Sequence, residues 1–188
     1  VQALQYGATV YRVKGSYDLA YELSLEYSRR KGGMNRNTAY NPMTIEGKKT
    51  VSLELFRQLG QAPEIVFVAV GDGCILSGVY KGFSDLLQLV SITAMPKIIG
   101  VQAENSNALS RAFETGGFDA APASTVADSI CVDVPRNGWQ ALAQLKKYAG
   151  TLMTVSDEEI IRAQAQLSAG SGLFTEPAGA AAFAGFLK

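Results

Sequence analysis

The residues best suited to chemistry lie in one stretch, Val70-Gly71-Asp72-Gly73-Cys74-Ile75-Leu76-Ser77-Gly78. It follows the apolar run Ile65–Val70 and opens a helical pattern, so it joins a strand to a helix N-terminus. The first N–H groups of a helix lack internal acceptors, and the helix dipole favours an anion beside them. Gly71 and Gly73 let the backbone close around a phosphate without a Cβ in the way. Two well-known phosphate loops do not fit. The dinucleotide pattern GxGxxG needs a third glycine where Leu76 stands. A P-loop running from Gly73 to Gly78 needs lysine where Val79 stands. The pattern alone therefore leaves two readings, a phosphate cradle and a tight turn that binds nothing.

Composition narrows the chemistry further. The 188 residues contain no histidine, which excludes Ser-His-Asp and Cys-His catalysis within them. The two cysteines, Cys74 and Cys131, form no CxxC pair, so no metal site is expected. Proton transfer falls to Lys, Asp, Glu, Tyr or a cofactor. Lys plus Arg equals Asp plus Glu, at 17 each, so no net charge draws the chain to nucleic acid or membrane. Apolar residues make up 47% and charged residues 18%, which suits a globular protein. No apolar run is long enough to span a bilayer. Arg12 and Lys14 in a mixed opening segment argue against a signal peptide, and a reduced, cytoplasmic protein is expected.

The elements that must hold the loop follow from periodicity. Thr9–Val13 reads as a short strand, and Ser16 as the N-cap of a helix reaching about Lys31. A second helix is expected over Glu46–Leu59, with Val51, Leu55 and Leu59 on one face. Ile65–Val70 should be a strand buried on both faces. The helix after the loop presents Val79, Phe83, Leu86, Leu87 and Val90 as its apolar stripe. Lys97–Val101 and Thr151–Val155 read as strands, and Ala108–Glu114 and the segment opened by Asn137-Gly138 as helices. Ser156-Asp157-Glu158-Glu159 has the spacing of a capping box, and Pro177 suits the first position of a last helix. Alternating strands and helices predict an α/β fold. Val1-to-Tyr6 reads as the end of a helix stopped by Gly7, and Ala180–Lys188 as a helix without a stop signal. Both ends are expected to lie inside a larger architecture.

Five segments carry a family resemblance. VGDGCILSG is similar to the glycine loop of fold-type II pyridoxal-phosphate (PLP) enzymes. NPMTIEGKKT, Asn41 to Thr50, resembles the threonine synthase stretch NPxRxEGQKT. TVADSI (Thr125 to Ile130), VSDEEI (Val155 to Ile160) and FTEPAGAAA (Phe174 to Ala182) resemble family segments in the same order. Together they span nearly the whole chain.

The resemblance implies a three-layer αβα fold with a mostly parallel sheet, incomplete at both ends. It implies a smaller lobe over residues 1–45 and a larger cofactor-binding lobe over 46–188. The cofactor would be PLP, or phosphate or sulfate in its place, with its phosphate held by Gly71, Asp72, Gly73, Cys74 and Ile75 through backbone N–H groups. Ala127, Asp128 and Ser129 would border the pocket, and Glu176 would lie close to it. From the residues themselves, Asp128 and Glu176 read equally well as helix caps, and Cys74 as a small buried apolar residue.

The family's Schiff-base lysine sits in an S-x-K-D type segment. Its ring-stacking asparagine and the Ser or Thr facing the pyridine nitrogen lie in further segments. None of these occurs in the 188 residues, so no catalytic residue is assigned, and every lysine present reads as a solvated surface group. The parent activity implied is elimination of phosphate from O-phosphohomoserine and water addition to give threonine, with an amino acid as small-molecule partner and a homodimer as the family's common assembly. Three residues depart from the family pattern. Thr44 replaces the usual Arg, Asp72 the usual Asn, and Thr38-Ala39 the usual Asn-Ser. These departures keep open another lyase, such as a dehydratase, or a β-replacement enzyme. A non-catalytic module that binds a phosphorylated ligand is the competing class.

Overall fold

The computed structural model describes residues 2–188, which divide into two compact units, residues 2–35 and 36–188. The first unit holds α1 (Gln2–Gln5) and α2 (Tyr17–Lys31). Ser16 caps α2, its hydroxyl accepting from the Leu19 N–H at 3.2 Å. The strand expected at Thr9–Val13 is not formed. β-branched residues favour an extended chain, but a strand needs a ladder partner, and this unit contains no other strand among the described residues.

The second unit contains α3 (Met43–Lys48), α4 (Thr50–Leu59), β1 (Ile65–Ala69), α5 (Cys74–Gln88), β2 (Lys97–Ala103) and α6 (Ala108–Thr115). A 3-10 turn (Asp128–Ile130), α7 (Gly138–Lys147), β3 (Thr151–Val155), α8 (Asp157–Ser171) and α9 (Pro177–Leu187) complete it. The strands form one parallel sheet in the order β1-β2-β3, with Ile65 opposite Lys97 and Ile99 opposite Thr151. Alternate residues of each strand face opposite sides. Val68, Val70 and Ile98 pack with Leu76, Tyr80 and Phe83 of α5 and Leu142 and Leu145 of α7. Phe67, Val101, Ala103 and Val155 pack with Ile160 of α8 and Ala180, Ala181 and Ala184 of α9. Helices thus cover both faces, giving the three-layer αβα arrangement.

Two local expectations change. The single helix expected over Glu46–Leu59 is two helices that meet at Lys49. Its buried residue is Ser52, while Val51 and Leu59 are exposed. The reason lies across the interface. A Cβ on Gly82 of α5 would come within 2.4 Å of the Lys49 carbonyl oxygen and 2.6 Å of Ser52 Cβ. Glycine there lets the two backbones approach, and Ser52 Oγ then donates to the Val79 carbonyl at 2.8 Å. β1 is covered on both faces as expected, Val66 and Val68 on the α5 side and Phe67 and Ala69 on the α9 side, and only its first residue, Ile65, is half exposed. Val90, expected on the stripe of α5, lies beyond the helix end and is exposed.

The capping box at α8 forms as spaced. Ser156 Oγ accepts from the Glu159 N–H at 3.2 Å, and Glu159 accepts from the Ser156 N–H at 2.7 Å. No helix among the described residues is long and apolar enough to cross a membrane.

Candidate functional site

The loop between β1 and α5 is built on its backbone. The ladder persists one residue past β1, with the Val70 N–H donating to the Val101 carbonyl at 2.8 Å. Gly73 then takes a left-handed conformation (φ 84°, ψ 0°) at the N-cap of α5. No side chain caps this helix. Its first internal bond is Ser77 N–H to the Gly73 carbonyl, at 3.0 Å. Among the described residues, the N–H groups of Gly71, Gly73, Cys74, Ile75 and Leu76 have no protein acceptor. Five unpaired amides at a 15-residue helix's positive end make a cradle for an anion. Unpaired backbone groups this concentrated are uncommon unless a ligand or water completes them.

The loop is braced from behind. Asp72 does not aim its carboxylate into open space: Oδ1 accepts from the Arg136 N–H at 3.0 Å, and the Asp72 carbonyl accepts from the Asn137 N–H at 3.1 Å. Asn137 Nδ2 donates to the Gly73 carbonyl at 3.3 Å and to Ser77 Oγ at 2.8 Å. Gly71 packs on the 3-10 turn, where an added Cβ would lie 2.9 Å from Ile130 Cα. That turn is itself anchored. Ser106 Oγ donates to the Ile130 carbonyl, and the Val132 N–H donates to Ser106 Oγ, both at 3.1 Å. Asp157, the first residue of α8, accepts from Thr125 Oγ1 at 2.5 Å and from the Val126 N–H at 3.1 Å.

The structure thus brings Ile130, the last residue of that turn, against the glycine loop at Gly71. Ala127 is fully buried, whereas Asp128 and Ser129 are exposed. Asp128 Oδ1 accepts from Ser129 Oγ at 3.4 Å. Glu176 occupies the N-cap position of α9 without a side-chain capping bond, and it is exposed. Its helix packs on the same 3-10 turn, but no hydrogen bond links Glu176 to the loop among the described residues.

Cys74 is not poised as a nucleophile. Burial pushes its thiol up to about 11, the Thr38 hydrogen bond pulls it down, and the Asp72 charge pushes it up. Thr38 belongs to the turn before α3, so that turn lies beside the first turn of α5. A cleft of about 230 Å³ opens there, lined in part by Thr38, Asn41, Glu46, Lys81 and Asn137. Thr44 serves the turn itself, donating to the Thr38 carbonyl and, at 2.7 Å, to the Asn41 carbonyl. It offers no cation to a ligand.

Lys49 departs from the expected solvated lysine. Its side chain is 26% exposed and pairs with Glu46 at 2.7 Å and Asp85 at 2.9 Å. Lys81 pairs with Asp85 at 2.6 Å. These four charges lock α3 and α4 onto α5.

Periodicity and motif reading missed Asn137, Ser106 and the bracing role of Asp157. Asn and Asp at helix starts read as caps of their own helices. In fact the Asn137 side chain leaves α7 uncapped and serves the loop instead. Nothing local in the sequence announces that choice.

A family profile described as pyridoxal-phosphate dependent enzyme matches residues 2–188. The threonine synthase of Methanocaldococcus jannaschii is 35% identical over 191 residues, covering 100% of this chain and 47% of that protein. The crystal structure of a T.th. threonine deaminase superposes with a TM-score of 0.78 at 26% identity, over 98% of this chain and 59% of that one. A maize serine racemase gives 0.81 at 20% identity over 98% of this chain and 54% of its own, a likeness of fold alone. The chain spans about half the length of the curated relatives it matches.

Proposed function

Because the chain belongs to the pyridoxal-phosphate-dependent enzyme family, of the fold-type II kind, we propose that its glycine loop holds the phosphate of PLP and that it forms the cofactor-binding part of an amino-acid-converting enzyme. One observation carries this reading: the amides of Gly71, Gly73, Cys74, Ile75 and Leu76 have no protein acceptor among the described residues and lie together where β1 gives way to α5. A dianionic phosphate suits that donor set, because backbone N–H groups and the helix end supply positive potential without a lysine. Residues Ala127–Ser129 lie between Val126, held by Asp157, and Ile130, which is held by Ser106 and packs on Gly71, and Glu176 stands at the head of a helix packed on the same turn.

PLP, when bound, supplies an electron sink for charge developing at the amino-acid carbon. This chain's own residues bind and orient it, and none of them is assigned a proton-transfer step. The finer activity we propose is that of threonine synthase, the elimination of phosphate from O-phosphohomoserine followed by water addition. The support is the 35% identity over the whole chain and the order of the five shared segments. A second reading, a dehydratase-like lyase, is favoured by Thr44. A threonine bound within its own turn cannot grip a substrate phosphate as an arginine would.

Titration of the chain with PLP and with inorganic phosphate, followed by visible absorbance and isotope-edited NMR, tests the reading. The expected result is one site, with phosphate competing against PLP and the largest shifts at the amides of Gly71 to Leu76. Borohydride treatment and peptide mapping then report whether any lysine of this chain is linked to PLP. Saturable phosphate binding without such a link fits a binding module. Absence of binding by either ligand refutes the cofactor assignment.

A further inference from the structure

We infer that Asn137 is the positioning residue of the phosphate loop, fixing from behind the directions in which the Gly73 and Cys74 amides point. The inference rests on the reading of that loop as a phosphate cradle and names the residue that sets its geometry.

The geometry of the peptide plane links these groups. A carbonyl and the N–H of the next residue belong to one rigid trans unit and point in opposite directions, and no peptide bond in the described chain is cis. Whatever holds the Asp72 carbonyl therefore aims the Gly73 N–H the opposite way. Whatever holds the Gly73 carbonyl aims the Cys74 N–H. Asn137 holds both: its backbone N–H donates to the Asp72 carbonyl at 3.1 Å, and its Nδ2 donates to the Gly73 carbonyl at 3.3 Å. The second hydrogen on Nδ2 goes to Ser77 Oγ at 2.8 Å, which ties the same side chain to the first turn of α5. The Arg136 N–H, one residue earlier, takes the Asp72 carboxylate at 3.0 Å. Two consecutive peptide planes of the cradle thus depend on one residue 64 positions away in sequence.

Only an amide of this length does the work. An aspartate at 137 would set lone pairs against the Gly73 carbonyl and add charge near the anion. Alanine would leave that contact empty. The left-handed Gly73 has no side chain to steady it, and a Cβ there would lie 3.4 Å from the Asn137 carbonyl oxygen. The loop accordingly draws its rigidity from its neighbour, and ordered amides bind an anion without a further ordering penalty.

The test compares wild type, Asn137→Ala, Asn137→Asp and Ser77→Ala by 15N relaxation, by titration with inorganic phosphate and PLP, and by urea denaturation. In wild type the Gly73 and Cys74 N–H vectors should be rigid, with order parameters of about 0.85; in Asn137→Ala, which keeps the backbone bond to the Asp72 carbonyl, Cys74 should fall below about 0.6 while Gly73 and Leu145 are unchanged. Phosphate affinity should weaken about tenfold in Asn137→Ala, more in Asn137→Asp, and about threefold in Ser77→Ala, at temperatures where each variant is folded. An unchanged order parameter at Cys74 overturns the inference, as does a loss spread evenly over the domain. So does unchanged phosphate affinity in a folded Asn137→Ala. If wild type binds neither phosphate nor PLP yet Asn137→Ala loosens only the Cys74 amide, the cofactor reading falls and the positioning role stands. Should both Asn137 variants fail to fold, Ser77→Ala decides by the same two measurements.

Discussion

Replacing Gly73 with alanine separates two physical demands at the loop. The first is conformational. Gly73 sits at φ 84°, a region an L side chain occupies at a cost of roughly 1–2 kcal/mol. The second is steric. The new Cβ would stand 2.9 Å from the Cβ of Ala141, a residue wholly buried in α7. Relieving that overlap requires α5 and α7 to part, and overpacking of this kind costs about 1–3 kcal/mol. Together they predict a loss of about 2–5 kcal/mol, or a fall in Tm of roughly 10 °C for a domain of this size. Trimming Ala141 to glycine removes the overlap but sacrifices a buried methyl and about 1 kcal/mol of helix propensity. In the double variant Gly73→Ala/Ala141→Gly the overlap is gone and only the conformational demand remains. Urea denaturation of wild type, both single variants and the double variant should show a favourable coupling of about 1 kcal/mol or more. Phosphate titration should show that the double variant still binds weakly, since its amides remain misdirected. Purely additive effects, within about 0.5 kcal/mol, would refute the packing argument. A Gly73→Ala chain as stable as wild type would refute both parts.

Other consequences are simpler to check. Gly170 lies in α8 with no atom within 4 Å of an added Cβ, so Gly170→Ala should stabilise by about 0.4–1 kcal/mol in the same denaturation assay. Glu159 is held below the usual carboxylate range, chiefly by the Ser156 N–H and then by Lys188, against some desolvation. Its stabilisation is therefore complete above the unfolded value of about 4.3 and fades as pH falls through the lower folded value. Urea midpoints at pH 7, 5 and 3 should show the advantage of wild type over Glu159→Gln shrinking towards pH 3. Cys74, pushed up to about 11, should resist iodoacetamide at pH 7.5 in the folded chain and react once urea unfolds it, as peptide mass spectrometry can read.

Much of the fold was written locally. The apolar run at Ile65–Val70, the stripe Val79, Phe83 and Leu86, and the capping box at Ser156 each obey short-range rules, and the structure places a strand and two helices there. The glycine loop was legible for the same reason: two glycines between a strand and a helix free the backbone for a tight turn before any tertiary contact forms. Its two departures from the familiar phosphate loops, at Leu76 and Val79, also have a local explanation, since both side chains are buried in the core.

Sequence alone therefore determined the α/β alternation, the position of the glycine loop and the glycine that makes its turn, because dihedral preference and periodicity act over a few residues. It could not determine that Ser52 rather than Val51 turns inward, since a glycine at position 82 on another helix decides it. It could not keep Thr9–Val13 in a strand, since a ladder partner must come from elsewhere. And it held no sign that Asn137 would leave its own helix uncapped to hold the Asp72 and Gly73 carbonyls. Those outcomes depend on which surfaces meet across dozens of residues, and only the packed tertiary structure brings the donor within reach of its acceptor.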